Sequence, residues 1–385
     1  MPENLESERW LTEESPIEER WDGIVTMTDG KVEGYDLARV LRGGFFRVNA
    51  PVFTHPFVLW QTATVFGLSV VLAATLVVSH VTNLAVVDSK LVDQTADAYV
   101  YVGALSGFLF GFFIFDQLST FLNIKNNLLG GFWGYFQDLM SLTGAWWPDA
   151  DQNTHHYRKT LVRWGVATFT LCCTKASGKP KEETLAHALN LGLLTGPEAT
   201  LVMKMGGDPV IPLLWMYDAL VARIRKEHGS DGRRAGFKVK RVESLVLGMR
   251  GRIGGIIVAV SSFGLPPLPL VHLMSALVKL QLFLLALKEG VFIADVIVGD
   301  AVGKTPQICF ALLMTVATPI IFQSLLEFVI MIRNPFGDDW VDLPTRFYQQ
   351  QIRDEMLDLI RAGEVAAALP TVKDAKNIPD QNPGR

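Results

Sequence analysis

The sequence is poor in charge, in cysteine and in catalytic motifs, and each shortage excludes a class of protein. Charged residues make up 19% of the 385 positions and apolar residues 49%, a balance unusual for a soluble domain. The three cysteines include the neighbours Cys172 and Cys173, whose spacing suits neither a disulfide framework nor a zinc site. The chain also lacks HExxH, GxSxG, Walker and nucleic-acid-binding motifs. We therefore expect no catalytic residues, no enzyme activity and no nucleic-acid partner.

Four long stretches without Asp, Glu, Lys or Arg predict an integral membrane protein. They cover residues 57–79, 98–115, 253–278 and 305–326. About 20 apolar residues form a helix that crosses the roughly 30 Å hydrocarbon layer of a bilayer. Pro266, Pro267 and Pro269 interrupt the third stretch, so we place that span at residues 267–288, after an apolar helix at 253–264 that packs within protein. Four spans are the prediction, and five are the alternative.

Charges between the spans predict the orientation of the chain. Acidic residues outnumber basic ones between the first two spans. Between the last two spans there are three acidic residues, Glu289, Asp295 and Asp300, and one basic residue, Lys304. The long middle segment, in contrast, is rich in lysine and arginine. Because basic loops stay on the cytoplasmic side, we place this segment and both termini in the cytoplasm, or on the equivalent face of an organelle membrane.

Apolar residues recur at helical spacing outside the spans as well, so the predicted fold class is all-α. We divide the chain into an N-terminal tail (1–34), the first two spans (35–122), a cytoplasmic helical region (123–252), the third and fourth spans (253–333), an acidic turn with a C-terminal helix (334–362) and a disordered tail (363–385). Within the helical region, Thr195 or Gly196 is expected to cap a helix with Pro197 in its first turn.

Two sets of small and aromatic residues recur every four positions in the second span. Gly103, Gly107 and Gly111 form one stripe, which would let neighbouring helices approach closely. Ala104, Phe108 and Phe112 form the adjoining stripe. In a ring of identical helices these phenylalanines would converge on the axis as an apolar constriction that gates by dewetting. The alternative is that they face lipid or fill a core.

An acidic turn follows the last span directly. Residues 334–342 read Asn-Pro-Phe-Gly-Asp-Asp-Trp-Val-Asp, so Asp338, Asp339 and Asp342 offer the hard oxygen ligands that Ca²⁺ prefers. The alternative is a plain helix stop at Pro335 and Gly337, followed by a helix start at Asp342.

These residues resemble the signature of the bestrophins, a family of pentameric and mostly anion-conducting channels, several of which are gated by Ca²⁺. Asn334-Pro335-Phe336-Gly337 with its aspartates is similar to the family's acidic turn, and Phe108-Leu-Phe-Gly-Phe112 to its hydrophobic neck. Weaker likenesses lie at residues 41–43, 157–164, 192–197 and 269–272. The resemblance covers residues 35–362 and implies a homopentamer around a central pore.

The resemblance also implies roles for particular residues. Asp339 and Asp342 match the main Ca²⁺ ligands, Asp338 and Asn334 match further contributors, and an N-terminal contributor would fall within residues 24–34. Trp340 and Val341 depart from the family, whose members are acidic there. Ala104 replaces an aliphatic residue of the neck, which should widen that ring. Phe237 matches a second constriction at the cytoplasmic exit.

The sequence therefore favours a homopentameric channel that passes chloride, with bicarbonate as a second anion and Ca²⁺ as a candidate regulator. Its expected partners are other copies of itself, membrane lipid and the permeant anions. Two alternatives stay open: a cation-conducting channel of the same fold, and a non-conducting scaffold or channel module of a larger sensing assembly.

Overall fold

Helices dominate the structure, a computed structural model that describes residues 17–20, 25–28, 31–35, 53, 55–82, 89–147, 152–229, 232–261, 268–299, 305–337, 339 and 342–368. The predicted helical class is confirmed. The α-helices are α1 Pro56–Val81, α2 Ser89–Leu122, α3 Gly130–Trp146, α4 Gln152–Ala176, α5 Lys181–Asn190, α6 Gly196–Lys204, α7 Val210–His228, α8 Gly232–Val260, α9 Leu268–Val298, α10 Thr305–Arg333 and α11 Thr345–Ala368.

Four of these helices are long and apolar enough to cross a membrane, as predicted. They are α1, α2, α9 and α10, and they pack together as a unit that we call the span bundle. Its core is built from apolar side chains of all four helices, among them Val65, Phe110, Val278 and Val329. Residues 253–260 belong instead to α8, where Ile253 and Ile256 are buried among the non-spanning helices. This placement favours four spans over five.

The second span does not end at the membrane but continues as one long helical path. A π-helical segment, Asn123–Leu129, joins α2 to α3 without a break. The path from Lys90 to Trp146 has 57 residues. At 1.5 Å per residue it is about 85 Å long, far more than the roughly 30 Å hydrocarbon layer. The helix is therefore continuous across the predicted domain boundary between residues 122 and 123. It forms a rod that mechanically links the span bundle to the rest of the chain.

The remaining helices, α3 to α8 and α11, form a second unit that we call the helical body. Its large core includes Phe132, Phe136, Leu161 and Leu213. α11 packs against α3 and α4, and a Cβ atom added at its Gly363 would lie 3.3 Å from the Cα atom of Gly144 on α3, a close approach of the two backbones. The body therefore forms a packed platform at the end of the helical rod.

The predicted cap at the start of α6 is present. Thr195 is the N-cap residue, and a proline lies in the first turn, as the sequence indicated. Glu198 completes a capping box, because its carboxylate accepts the Thr195 backbone N–H at 2.8 Å.

The segment predicted as an N-terminal tail (1–34) includes most of a small antiparallel sheet. Its strands are β1 Ile17–Arg20, β2 Val25–Thr28 and β3 Lys31–Tyr35, in the order β1-β2-β3. Thr28 pairs with Lys31, and the Asp29-Gly30 pair between them is a hairpin signal in the sequence. At the other end, α11 runs to Ala368, beyond the predicted limit of 362, because the alanines there favour helix.

Candidate pore and regulatory turn

One face of α2 is packed against the chain and the opposite face is open. On the packed face Phe110 and Phe113 are 3% and 6% exposed. On the open face Phe108 and Phe112 are 74% and 67% exposed, and Ala104 lies on the same side. The two predicted neck phenylalanines therefore do not fill a core of their own chain. They are available to lipid or to another copy of the protein.

The predicted glycine stripe divides between these two environments. A side chain at Gly103 would collide with the amide of Gln281 on α9, at 2.8 Å from its nitrogen. Side chains at Gly107 and Gly111 would meet nothing within 4 Å. Only Gly103 therefore packs tightly within the chain. Gln281 was missed by the sequence analysis, since a single glutamine in an apolar stretch carries no signal of its partner.

The acidic turn is closed by its own hydrogen bonds. Asp342 is fully buried, and its Oδ2 accepts the backbone N–H of Asp339 at 2.6 Å. The Asp342 N–H in turn donates to the Asp339 carbonyl at 3.1 Å, and the Leu343 N–H donates to the Pro335 carbonyl at 2.8 Å. These bonds hold the chain between α10 and α11 in a compact loop. Both the turn and the helix-stop interpretations are consistent with this geometry.

A lysine of the N-terminal sheet reaches this turn. Lys31 of β3 donates from its ammonium Nζ to the Gly337 carbonyl at 2.7 Å. The sequence analysis had placed an N-terminal contributor within residues 24–34, and the segment does contact the turn there. The contact that the structure describes, however, brings a positive charge rather than an oxygen ligand. No sequence signal could have joined two residues that lie 306 positions apart.

Two oxygens of the turn lie close together beside Gly337. A Cβ atom added at Gly337 would lie 2.8 Å from Asp342 Oδ2 and 3.4 Å from the Asn334 carbonyl, so two of the predicted ligand residues converge on one small space. Carboxylate and carbonyl oxygens are the donors that Ca²⁺ takes. Asp339 is exposed at the rim, and Asp338 lies outside the described residues. Among the described residues, no three or more His, Cys, Asp and Glu side chains are grouped so that they could hold a metal ion, so this donor set is sparse in carboxylates.

The predicted cytoplasmic aperture residue lies on a different element. Phe237 is near the start of α8 and is 74% exposed. Its phenyl ring therefore packs against nothing substantial within the chain. Its role as a second constriction stays a prediction.

A family model described as "Bestrophin, RFP-TM, chloride channel" matches residues 58–352. The chain belongs to the bestrophin family. The match begins in α1 and ends in α11, so it contains all four spans, the helical body and the acidic turn. The family resemblance read from the neck and the turn is therefore confirmed.

Solved structures show the same bestrophin fold. Two crystal structures of variants of a bacterial bestrophin homologue from Klebsiella pneumoniae are similar to the chain, with TM-scores of 0.60 each at 18% and 15% sequence identity. They cover 80% and 78% of this chain, and the matches span 99% of each bacterial chain. A crystal structure described only as a membrane protein variant has a TM-score of 0.61 at 14% identity, covering 79% of this chain and 99% of its own. No curated protein matches the sequence.

Proposed function

We propose that this bestrophin is a homopentameric anion channel that conducts chloride, with bicarbonate as a second permeant anion. Its neck would be lined by Ala104, Phe108 and Phe112, one set from each copy. The observation that carries the proposal is the exposure of both phenylalanines, 74% and 67%, on a helix whose opposite face is packed. A ring of such helices would place an apolar constriction on the axis, which opens and closes by wetting and dewetting.

The open glycines favour other copies over lipid as the neighbours of this face. Gly107 and Gly111 lie on the exposed side of α2 and contact nothing in their own chain. A glycine in a helix interior costs about 1 kcal/mol relative to alanine, so two of them in lipid would weaken the span without benefit. Against a neighbouring helix they permit the close backbone approach typical of packed membrane helices.

Aromatic rings favour anions at such a neck over cations. A phenyl ring carries negative charge on its face and positive charge at its edge, so ring edges that meet an axis attract an anion. The basic residues of the helical body would add a positive potential that concentrates anions near the pore entrance. A cation channel of the same fold is the second candidate, because an apolar neck imposes no absolute charge rule.

The proposed function is tested by recording currents from the purified protein in planar bilayers under a potassium chloride gradient. We expect the reversal potential to lie near the chloride equilibrium potential. When bicarbonate replaces chloride on one side, we expect current to persist with a modest shift of that potential. A reversal near the potassium potential would select the cation channel, and the absence of current would select the non-conducting scaffold.

We further propose Ca²⁺ as a regulator of this channel, held by Asn334, Asp339 and Asp342 with Asp338 as an additional contributor. The ion would supply positive charge to a turn that already concentrates carboxylate and carbonyl oxygens. Within the turn, Asp342 keeps its Oδ2 bond to the Asp339 N–H and so preserves the loop. Lys31 would weaken Ca²⁺ binding, because its ammonium, bonded to the Gly337 carbonyl, repels a Ca²⁺ ion in the turn.

Removing Ca²⁺ with a chelator is expected to change the open probability of the wild-type channel and to leave an Asp342→Asn variant unaffected. A Lys31→Met variant should respond to roughly 10-fold lower Ca²⁺, because a nearby unit charge at the protein surface is worth on the order of 1 kcal/mol or more. Bilayer recording at buffered Ca²⁺ and Ca²⁺-dependent thermal shifts measure both effects. An unchanged open probability and an unchanged melting temperature in wild type would remove Ca²⁺ from the proposal and leave the anion channel standing.

A further inference from the structure

A cavity of about 550 Å³ lies beside the acidic turn. Its wall combines β3, the end of α4, the segment between α4 and α5, one face of α5, the turn itself and the start of α11. Small-molecule sites in proteins have volumes of roughly 300 to 1,000 Å³, so this cavity has the size of a ligand site. A water molecule occupies about 30 Å³, so the cavity is many times larger than a site for one small ion needs to be.

The charges that line the cavity are mostly positive. Lys31, Lys179 and Arg346 contribute three cations, whereas Glu183 is the one carboxylate among the described lining residues. Glu183 Oε1 lies 3.5 Å from Lys179 Nζ at the exposed rim. Burial raises the pKa of Cys173 well above its ordinary value, so this lining thiol stays neutral and adds no negative charge. The cavity therefore offers an excess of positive charge to its contents.

A helix start adds to this charge. Thr345, the first residue of α11, brings its hydroxyl group to the wall, whereas the hydroxyls of Thr174 and Ser177 donate to the backbone carbonyls of Thr170 and Thr174, at 2.7 Å each. The start of a helix carries partial positive charge and outward N–H groups, which suit phosphate and similar anions. Cations and a helix start thus line one cavity, although the elements that contribute them are distant in sequence.

We propose that this cavity binds a small phosphomonoester, with Lys31, Lys179 and Arg346 around its phosphate group. A phosphate is an anion with several acceptor oxygens, which suits a wall that carries one cation each from β3, the segment between α4 and α5, and α11. The volume leaves room for an organic part of about mononucleotide size. Two sources can present this phosphate group, a soluble molecule or a lipid headgroup, since the turn directly follows a membrane span.

Binding at this cavity would act on the regulatory turn through Lys31. The ammonium of Lys31 donates to the Gly337 carbonyl at 2.7 Å, and both residues line the cavity. A phosphate that attracts this ammonium competes with the carbonyl and loosens the link between β3 and the turn. The regulatory consequence depends on the proposed channel function, whereas binding itself does not.

The test is calorimetric titration of the purified full-length protein with adenosine monophosphate, adenosine and succinate. We expect heat with the monophosphate, none with uncharged adenosine, and weaker binding as salt rises. Separate titration with vesicles that contain phosphatidylinositol 4-phosphate distinguishes a lipid source from a soluble one. Binding of either phosphate supports the cavity, and binding of succinate alone or of none of the probes overturns the proposed class of ligand.

Variants assign the binding to the cavity. Lys179→Met and Arg346→Met should each weaken phosphate binding by roughly 10-fold or more, since each removes a charge-assisted contact. Ala186→Trp fills the exposed wall of the cavity without changing charge and should abolish binding, even if Arg346→Met proves unstable. Lys204→Met, an exposed lysine on α6, is the matched control and should bind normally. Normal phosphate binding by Ala186→Trp would refute the proposal. Chloride currents recorded from the same preparation test the channel function separately.

Discussion

A channel in which Phe108 and Phe112 are both replaced by alanine is expected to stay open under conditions that close the wild type. The reason is physical, because dewetting requires a narrow apolar ring, and the double variant would remove two rings of phenyl groups from the axis. We expect the closed-state leak to rise by roughly 10-fold or more, the effect of lowering a barrier by about 1.4 kcal/mol. Anion preference should also weaken, since the positive ring edges are lost.

The control for this experiment is another exposed phenylalanine of the span bundle. Phe310 of α10 is 64% exposed, close to the values for the two neck residues. If exposure in the span bundle only reflects contact with lipid, Phe310→Ala and the double variant should behave alike. If α2 lines the pore, only the double variant changes conduction. Single-channel recording separates the two results, and identical currents from wild type and the double variant would refute the neck.

A second control uses the packed face of α2. Phe110 is 3% exposed and lies in the core of the span bundle. Its replacement by alanine should cost on the order of 3–5 kcal/mol of stability by leaving a cavity, with little direct effect on an open pore. The same residue type on the same helix thus separates a packing role from a conduction role.

Sequence alone predicts those features of this bestrophin that depend on residues close together in the chain. Stretches without charge identify spans because lipid excludes charged side chains along a whole helix. Two stripes with a four-residue period, one of glycines from Gly103 and one that includes Phe108 and Phe112, identify faces of α2, because four residues are close to one helical turn. The cap at Thr195 was likewise visible, since a capping box is formed by residues within one turn.

The parts that escaped prediction depend on contacts between distant residues. Lys31 and Gly337 lie 306 positions apart, and only the folded chain brings the sheet onto the turn. Gln281 of α9 packs against Gly103 of α2, although the sequence around neither residue identifies the other as its partner. The small sheet was hidden for a different reason. Its strands are 4, 4 and 5 residues long, too short for alternation to stand out beside long apolar helices.

Replacing Glu198 by glutamine is expected to produce the largest loss of local stability among the charged residues of the helical body. Its carboxylate accepts two bonds from Arg163, at 2.7 and 2.9 Å, and one from the Trp164 indole at 2.8 Å, besides the Thr195 amide of the capping box. Burial alone would raise the pKa of Glu198, but the bonds from Arg163, Thr195 and Trp164 outweigh it and lower the pKa from 4.5 to about 2. The carboxylate is therefore more stable in the folded chain than in the unfolded one.

The sign of the pH dependence follows from this depressed pKa. The ionised form is favoured by folding, so its contribution is complete at pH values above the unfolded pKa of 4.5 and disappears as the pH falls toward 2. The carboxylate is partly buried, with 19% of its side chain exposed, so after allowance for solvent screening we expect a contribution of about 1–2 kcal/mol at neutral pH. Glu198→Gln should therefore weaken α6 strongly at pH 7 and much less near pH 3.

Hydrogen exchange of the α6 amides in wild type and variant measures this difference across the pH range. Asp358→Asn is the matched control, because Asp358 pairs with Arg361 at 3.0 Å on an exposed surface of α11, where both side chains exceed 70% exposure. Such surface pairs contribute about 0–1 kcal/mol, so this variant should exchange almost like wild type. Equal exchange of α6 in Glu198→Gln and wild type at pH 7, or a difference that grows toward pH 3, would show that the partly buried Arg163–Glu198 pair does not stabilise this part of the helical body.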